Sequence, residues 1–141
     1  MRNYIIAAIA LVAITFTLTS TSCKKDEDEG KSPNISFKTT NGYVFTNQTV
    51  STDTTLTVGI NASKAEEEDV LKTFTAQVFY DGHTAADSTL TSVSLSGSQG
   101  DNYSVDVPIH TRNVAGTEKY EFTVINRDGL KNSVAFTLTV Q

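Results

Sequence analysis

Residues 103–109, Tyr-Ser-Val-Asp-Val-Pro-Ile, place an apolar side chain at every second position. A period of two is typical of a β-strand with one buried face and one face in water. Strands of this kind favour antiparallel sheets, because parallel sheets are usually buried on both faces. Proline cannot donate to a β-ladder, so Pro108 predicts that this strand lies at a sheet edge or is bulged there.

The same alternation recurs on both sides of this segment and gives six further strand candidates. Their apolar positions are Ile35 and Phe37; Leu56, Val58 and Ile60; Phe74, Ala76, Val78 and Tyr80; Val93 and Leu95; Tyr120, Phe122 and Val124; and Val134, Phe136, Leu138 and Val140. Turn pairs such as Asn41-Gly42 and Asp81-Gly82 separate the runs, and only residues 62–71 are a candidate short helix. We therefore predict that residues 34–141 form an all-β antiparallel sandwich of about seven strands.

The composition limits the classes of function. The chain has 141 residues, a net charge of −5 and one cysteine, so an intramolecular disulfide is excluded. One domain is expected at this length once targeting segments are removed. A nucleic-acid partner is not expected, because binding phosphates requires clustered cations and this chain is acidic.

Residues 1–22 have the order of a secretory signal peptide. Arg2 precedes a largely apolar run over residues 5–18, and small polar residues 19–22 follow. The alternative is an uncleaved membrane helix, but such a helix needs about 20 apolar residues. This run is shorter and contains Thr15 and Thr17, which favours cleavage.

The segment Ser20-Thr21-Ser22-Cys23 resembles the lipobox of Bacteroidota-type lipoproteins, with Ser20 and Ser22 where the strict pattern prefers Leu and Ala or Gly. The resemblance implies that Cys23 becomes the mature N-terminus and carries palmitate-type acyl chains. The next six residues resemble the export signal of such lipoproteins, which implies the outer face of the outer membrane: Lys24, Lys25, Asp26, Glu27, Asp28 and Glu29. A solvated tether is the alternative, and residues 23–33 are predicted to be flexible.

A second resemblance concerns residues 115–122. Gly116, Tyr120 and Phe122 resemble the start of strand F in an immunoglobulin-like domain, where a glycine turn precedes a tyrosine and a core residue lies two positions later. The resemblance implies that the hydroxyl of Tyr120 forms a tyrosine corner. It also implies that the sandwich is immunoglobulin-like.

The sequence contains no recognisable catalytic constellation. His83 and His110 are the only histidines, neither lies in a triad motif, and no Gly-x-Ser-x-Gly or phosphate-binding loop is present. We therefore predict neither an enzyme nor a cofactor, and no metal site. Calcium is the alternative for loop residues such as Asp81, Asp101 and Asp128.

Three surface features have open interpretations. Residues 66–69, Glu-Glu-Glu-Asp, are predicted to be a solvated loop or first helical turn, with cation or partner contact as the alternative. Phe79 beside Tyr43 would form an apolar patch if both point outward. Asp53-Thr54-Thr55 and Asp87-Ser88-Thr89 resemble the O-glycosylation motif of Bacteroidota, which implies glycans on Thr54 and Ser88.

Together these features predict a non-enzymatic, lipid-anchored module for binding or adhesion at the cell surface, or an accessory subunit of an outer-membrane complex. The expected partners are the membrane, through the lipid, and a protein or a glycan. A structural envelope lipoprotein without a specific ligand is one alternative, and a glycan-binding accessory protein is another.

Overall fold

A computed structural model describes residues 30–141, and the expected signal peptide, Cys23 and the charged run 24–29 lie outside them. The described residues form an all-β fold, as predicted. Each of the seven predicted runs overlaps a strand, and one further strand, β2, is present. The elements are β1 (Asn34–Phe37), β2 (Gln48–Val50), β3 (Thr55–Ser63), β4 (Leu71–Tyr80), β5 (Ser88–Ser94), α1 (Ser98–Asp101), β6 (Asn102–His110), β7 (Gly116–Asn126) and β8 (Lys131–Val140).

The strands form two sheets. One has three strands in the order β1-β3-β6, and the other has five in the order β2-β8-β7-β4-β5. Every pairing is antiparallel except that of β2 with β8. Strand β6 pairs only with β3, so it is an edge strand, and the prediction from Pro108 is confirmed.

Two local predictions differ from the structure. No helix forms over residues 62–71, because Ala62 and Leu71 are buried at the ends of β3 and β4. Within residues 30–141 the one helical turn is α1 instead, which follows Gly97 with its φ of 55°. Strand β2 was missed because its three residues are exposed or half-buried and show no apolar alternation.

The core lies between the sheets and contains a cluster of aromatic rings. Phe122 and Phe136 stack with centroids 6.3 Å apart, and Phe37 meets both rings edge-on at 6.0 and 5.7 Å. Tyr120 stacks on Phe136 at 5.7 Å. Burial of one such side chain stabilises a fold by about 1.5–3 kcal/mol, so these inward positions fix how the two sheets pack.

The first described residues are fixed to one end of the sandwich. Asn126 Nδ2 donates to the Lys31 carbonyl at 3.2 Å, and Asn132 Nδ2 donates to the Pro33 carbonyl at 3.0 Å. We call this the near end; residues 64–70 and 127–130 form it. The opposite, far end contains residues 81–87 and 111–115. Within residues 30–141, no helix has the length and apolarity to cross a bilayer.

Candidate functional site

Six uncharged polar side chains form two rows across the outer face of the three-stranded sheet. The register of β1, β3 and β6 aligns Asn34, Ser63 and Asn102 in one row, and Ser36, Asn61 and Ser104 in the next row of the same face. We call these six residues the Asn/Ser array. Sheet geometry gives it dimensions of about 10 Å across the strands and about 7 Å along them.

The alternation of the strands explains why these side chains face outward. Between the two rows lie Ile35, Ala62 and Tyr103, which turn inward and are buried or half-buried. A strand that buries every second side chain presents the others to solvent. Five members of the array are exposed and Ser63 is half-buried. The core that folds the domain therefore also positions the array.

Few hydrogen bonds within the protein use these groups. Ser104 Oγ donates to Asn61 Oδ1 at 3.0 Å. Asn34 Nδ2 lies 3.4 Å from Ser63 Oγ and 3.5 Å from the Lys64 carbonyl, which are long distances for hydrogen bonds. The side-chain nitrogens of Asn61 and Asn102 donate to no partner within residues 30–141. Donors and acceptors are thus available to a ligand.

The array lines an open cleft of about 560 Å³, which Asn132 borders on the β1 side. Small-molecule sites usually have volumes of about 300–1,000 Å³, so the cleft is large enough for a ligand. The next row toward the far end is charged: Lys38 Nζ donates to Asp106 Oδ1 at 2.6 Å, and this hydrogen bond lowers the pKa of Asp106. Gly59 lies between them, and the chain of Lys38 crosses the space that a Cβ would fill.

A second polar cluster is buried at the far end. Glu118 is fully buried, and its Oε2 accepts a hydrogen bond from the hydroxyl of Tyr120 at 2.5 Å. Its Oε1 accepts from the backbone N–H and the Nε of Arg112 at 2.9 and 3.1 Å. We call Asp81, Arg112, Glu118 and Tyr120 the corner network. The carboxylate of Glu118 therefore connects the Tyr120 hydroxyl to the backbone of Arg112, whereas a tyrosine corner makes its backbone contact directly.

Arg112 also binds Asp81 through both terminal nitrogens, at 2.9 and 3.2 Å, and covers the ring of Tyr80 with 4.1 Å to its centroid. The bond to Asp81, with a smaller contribution from Glu118, raises the pKa of Arg112, and the same contact lowers the pKa of Asp81. Burial raises the pKa of Tyr120, and the hydrogen bond to Glu118 raises it further. A Cβ at Gly116 would clash with Asp81, so the network requires glycine there.

The two histidines lie on open surface at the far end. His83 Nδ1 is 2.8 Å from Asp87 Oδ1. His110 lies between Thr55 and Asp53, with its ring nitrogens 3.0 Å from Thr55 Oγ1 and 3.0 Å from Asp53 Oδ1. The order hydroxyl, imidazole, carboxylate matches that of a catalytic triad. However, the side chains of His110 and Asp53 are 58% and 75% exposed, so nothing there excludes water from a reaction.

The carboxylates considered for calcium have other partners and do not converge. Asp101 pairs with Lys64 at 2.8 Å, Asp81 with Arg112 at 2.9 Å, and Asp128 lies 3.5 Å from Arg127. In the described part of the chain, no group of three or more His, Cys, Asp or Glu side chains is placed to hold a metal ion.

The acidic run and the aromatic pair lie apart from the array. Residues 66–69 form a loop at the near end, where Glu66 pairs with Lys31 at 3.3 Å and buried Asp69 accepts from Asn126 at 2.7 Å. Phe79 faces out from β4 in the five-stranded sheet under Lys119, 4.9 Å from its centroid. Tyr43 instead contacts Asp106 of the three-stranded sheet at 3.1 Å, so the two aromatics do not form one patch.

The two candidate glycan acceptors differ in accessibility. Ser88 is exposed at the first position of β5, an edge strand. Thr54 is half-buried, its hydroxyl donates to the Thr52 carbonyl at 3.3 Å, and its N–H donates to Thr111 Oγ1 at 2.9 Å. Ser88 therefore presents the more accessible hydroxyl.

The Asn/Ser array was not predicted from the sequence. Its members come from three strands, so the site exists only once the register of β1 with β3 and of β3 with β6 is known. The available signal was that asparagine, which strands disfavour, occupies outward positions in all three. The corner network had a clearer signal, because Glu118 lies in phase with Tyr120 and Phe122 on the buried face of β7.

These features define a class: an all-β domain of two sheets with an uncharged polar array on one outer face. No protein-family model matches the chain, and no curated protein matches its sequence. The fold is similar to that of superoxide reductase (neelaredoxin) from Ignicoccus hospitalis, with a TM-score of 0.51 and 10% identity over 79% of this chain and 81% of that chain. The comparison with alkylpurine DNA glycosylase AlkC from Pseudomonas fluorescens gives a TM-score of 0.49 and 16% sequence identity, over 78% of this chain and 31% of that chain. At 10% identity the likeness to the superoxide reductase shows the fold alone.

Proposed function

We propose that this protein is a non-enzymatic, lipid-anchored module that binds a partner at the outer face of the outer membrane, alone or as an accessory of a larger complex. The observation that carries the binding function is the Asn/Ser array. Its six uncharged polar side chains line a cleft of about 560 Å³, and within residues 30–141 their hydrogen bonds leave the side-chain nitrogens of Asn61 and Asn102 unused. Rigid strands hold binding groups more accurately than loops do.

We propose further that the sandwich is immunoglobulin-like. The order β8-β7-β4-β5 corresponds to strands G, F, C and C′ of such domains, and β3 beside β6 corresponds to B beside E. The position of Tyr120 near the start of β7 supports this correspondence, with Glu118 bridging its hydroxyl to the backbone of Arg112.

The binding function is tested on intact cells with two triple variants. One replaces Asn34, Asn61 and Asn102 by alanine; the control replaces Thr75, Thr123 and Ser133, which form a row on the outer face of the other sheet. We expect a partner cross-linked to the wild type to be recovered with the control and lost with the array variant. Recovery with both variants would contradict the site. Recovery with no form of the protein would favour a structural envelope lipoprotein.

The lipid anchor has its own test. We expect mass spectrometry of the mature protein to show Cys23 acylated at the N-terminus, and Cys23→Ala to abolish labelling by a palmitate analogue. Protease added to intact cells should degrade the wild type, and alanine at Asp26, Glu27, Asp28 and Glu29 should protect the protein from it. An unmodified Cys23 still joined to Ser22 would refute the anchor.

We propose Ser88 as the principal O-glycan acceptor and Thr54 as a minor one, because Ser88 is exposed and Thr54 is half-buried. Intact mass should fall by one glycan in Ser88→Ala. A larger loss of mass in Thr54→Ala than in Ser88→Ala would make Thr54 the principal acceptor.

A further inference from the structure

We infer that the Asn/Ser array binds an uncharged polyhydroxyl chain, a neutral oligosaccharide lying across β1, β3 and β6. This inference rests on the proposed binding function and names the ligand class of the same site. The argument has three parts: the donors and acceptors that the array offers, the ligand classes that it disfavours, and the rigidity of its side chains.

The array matches hydroxyl groups in hydrogen-bonding character. An asparagine side chain offers two donors and one carbonyl acceptor, and a serine hydroxyl both donates and accepts. A sugar hydroxyl has the same dual character. The two rows alternate amide and hydroxyl across the strands, Asn34-Ser63-Asn102 and Ser36-Asn61-Ser104, so a chain crossing the sheet meets both kinds of group on every strand.

Other ligand classes fit the array less well. Acidic saccharides and phosphates require cations, and Lys38, at the border of the array, is paired with Asp106 at 2.6 Å. A protein interface normally centres on buried aromatic or arginine anchors. Here Ile35, Ala62 and Tyr103 also border the cleft, but they are buried or half-buried in the core, so the outward side chains of the array contribute only amide and hydroxyl groups.

The side chains are also partly oriented before a ligand binds. The hydrogen bond from Ser104 Oγ to Asn61 Oδ1 orients the side-chain amide of Asn61, whose nitrogen donates to no partner within residues 30–141. Asn61 and Ser63 lie on β3, the central strand of this sheet, and are flanked by array residues on both sides; of these two, Asn61 carries the amide. Groups held in place lose less entropy on binding, so we expect Asn61 to contribute most.

The test is affinity gel electrophoresis. The protein is extracted in detergent from the cells that express the full chain, so it keeps the processing that those cells give it. The gels contain one of four neutral polysaccharides (starch, laminarin, xylan or mannan) or one of two acidic ones (polygalacturonate or heparin). We expect retardation by at least one neutral polysaccharide and by neither acidic one. Asn61→Ala should weaken that binding about three- to tenfold, the loss of one or two uncharged hydrogen bonds.

The two triple variants provide the control. The array variant (Asn34, Asn61 and Asn102 to alanine) should abolish the retardation, and the control variant (Thr75, Thr123 and Ser133 to alanine) should leave it unchanged. Retardation by acidic gels alone, by no gel, or equally for both variants would overturn the inference. If no gel retards the protein while the array variant still loses its partner on intact cells, the ligand class is wrong and the binding function stands. If no gel retards the protein and the array variant also keeps its partner on intact cells, the array is not the binding site.

Discussion

The corner network and the Asn/Ser array lie at opposite ends of the sheets and use polar side chains in opposite ways. In the network, the carboxylate of Glu118 is fully buried and accepts three hydrogen bonds, from Tyr120 and from two nitrogens of Arg112. In the array, most groups are exposed, and within residues 30–141 the only side-chain hydrogen bond shorter than 3.4 Å joins Ser104 to Asn61.

This difference separates polar residues that stabilise the fold from those available for binding. A buried charge is tolerated only when its partners are present, so a network of this kind commits its groups to each other. An exposed amide or hydroxyl exchanges water for a ligand at little cost to the fold. Substitutions should therefore affect stability at the network and affinity at the array.

The largest effect is expected for Arg112→Ala. This change leaves the buried carboxylate of Glu118 without its cation, and breaking a buried ion pair from one side costs about 3–5 kcal/mol. The measurement is the free energy of unfolding in urea.

The matched control is Arg127→Ala, because Arg127 is 53% exposed and lies 3.5 Å from Asp128. An exposed pair contributes about 0–1 kcal/mol, so the control should be nearly neutral. Equal losses in both arginine variants would show that the network does not stabilise the fold through its charge.

Tyr120→Phe should have the next largest effect. The substitution keeps the ring that stacks on Phe136 and removes the hydroxyl that donates to Glu118, leaving a buried carboxylate oxygen without this donor. The expected loss in unfolding free energy is about 1–3 kcal/mol. Tyr43→Phe removes a hydroxyl bonded to exposed Asp106, so it should cost less. If the order of the two variants were reversed, the corner would not depend on the hydroxyl of Tyr120.

The sequence predicted the strands well because each long strand has one buried and one wet face, and this leaves a period of two. It missed β2, which pairs with β8 through only three residue pairs and buries little. It indicated the position of Tyr120 but not the role of Glu118, since alternation places Glu118 on the inward face of its strand and does not identify the cation that pairs with it there. Arg112 lies in the loop before β7, and only the tertiary fold brings it to Asp81.

The array was beyond sequence reasoning for a different reason. Alternation predicts that Asn34, Asn61 and Asn102 face outward, but not that they share one surface. Strand β6 pairs with β3 although β4 and β5 lie between them in the chain and belong to the other sheet. Pairing of strands distant in sequence is set by packing of the whole core, and no local pattern encodes it.

A smaller effect is expected on acidification. The hydrogen bond from Arg112 lowers the pKa of Asp81 below its ordinary value of 3.8, so Asp81 stabilises the folded state above that value. This contribution decreases as the pH falls below about 4, where the unfolded chain takes up a proton that folded Asp81 does not, and it is lost completely once the folded carboxylate is protonated as well. The Tm of the wild type should therefore fall between about pH 5 and pH 3, and that of Asp81→Asn should fall less. If the Tm of both proteins fell by the same amount, Asp81 would not contribute to the loss of stability in acid.

The smallest effect on stability is expected where the effect on binding is largest. The triple alanine variant of Asn34, Asn61 and Asn102 removes no buried apolar group, and the hydrogen bonds it breaks are exposed. Each such surface substitution usually changes stability by less than about 0.5 kcal/mol, and alanine and asparagine are both weak strand formers. The unfolding free energy should therefore stay close to that of the wild type, well above that of Arg112→Ala. If the triple variant instead unfolded as readily as Arg112→Ala, the array would be part of the folding core, and the loss of binding would carry no information about a site.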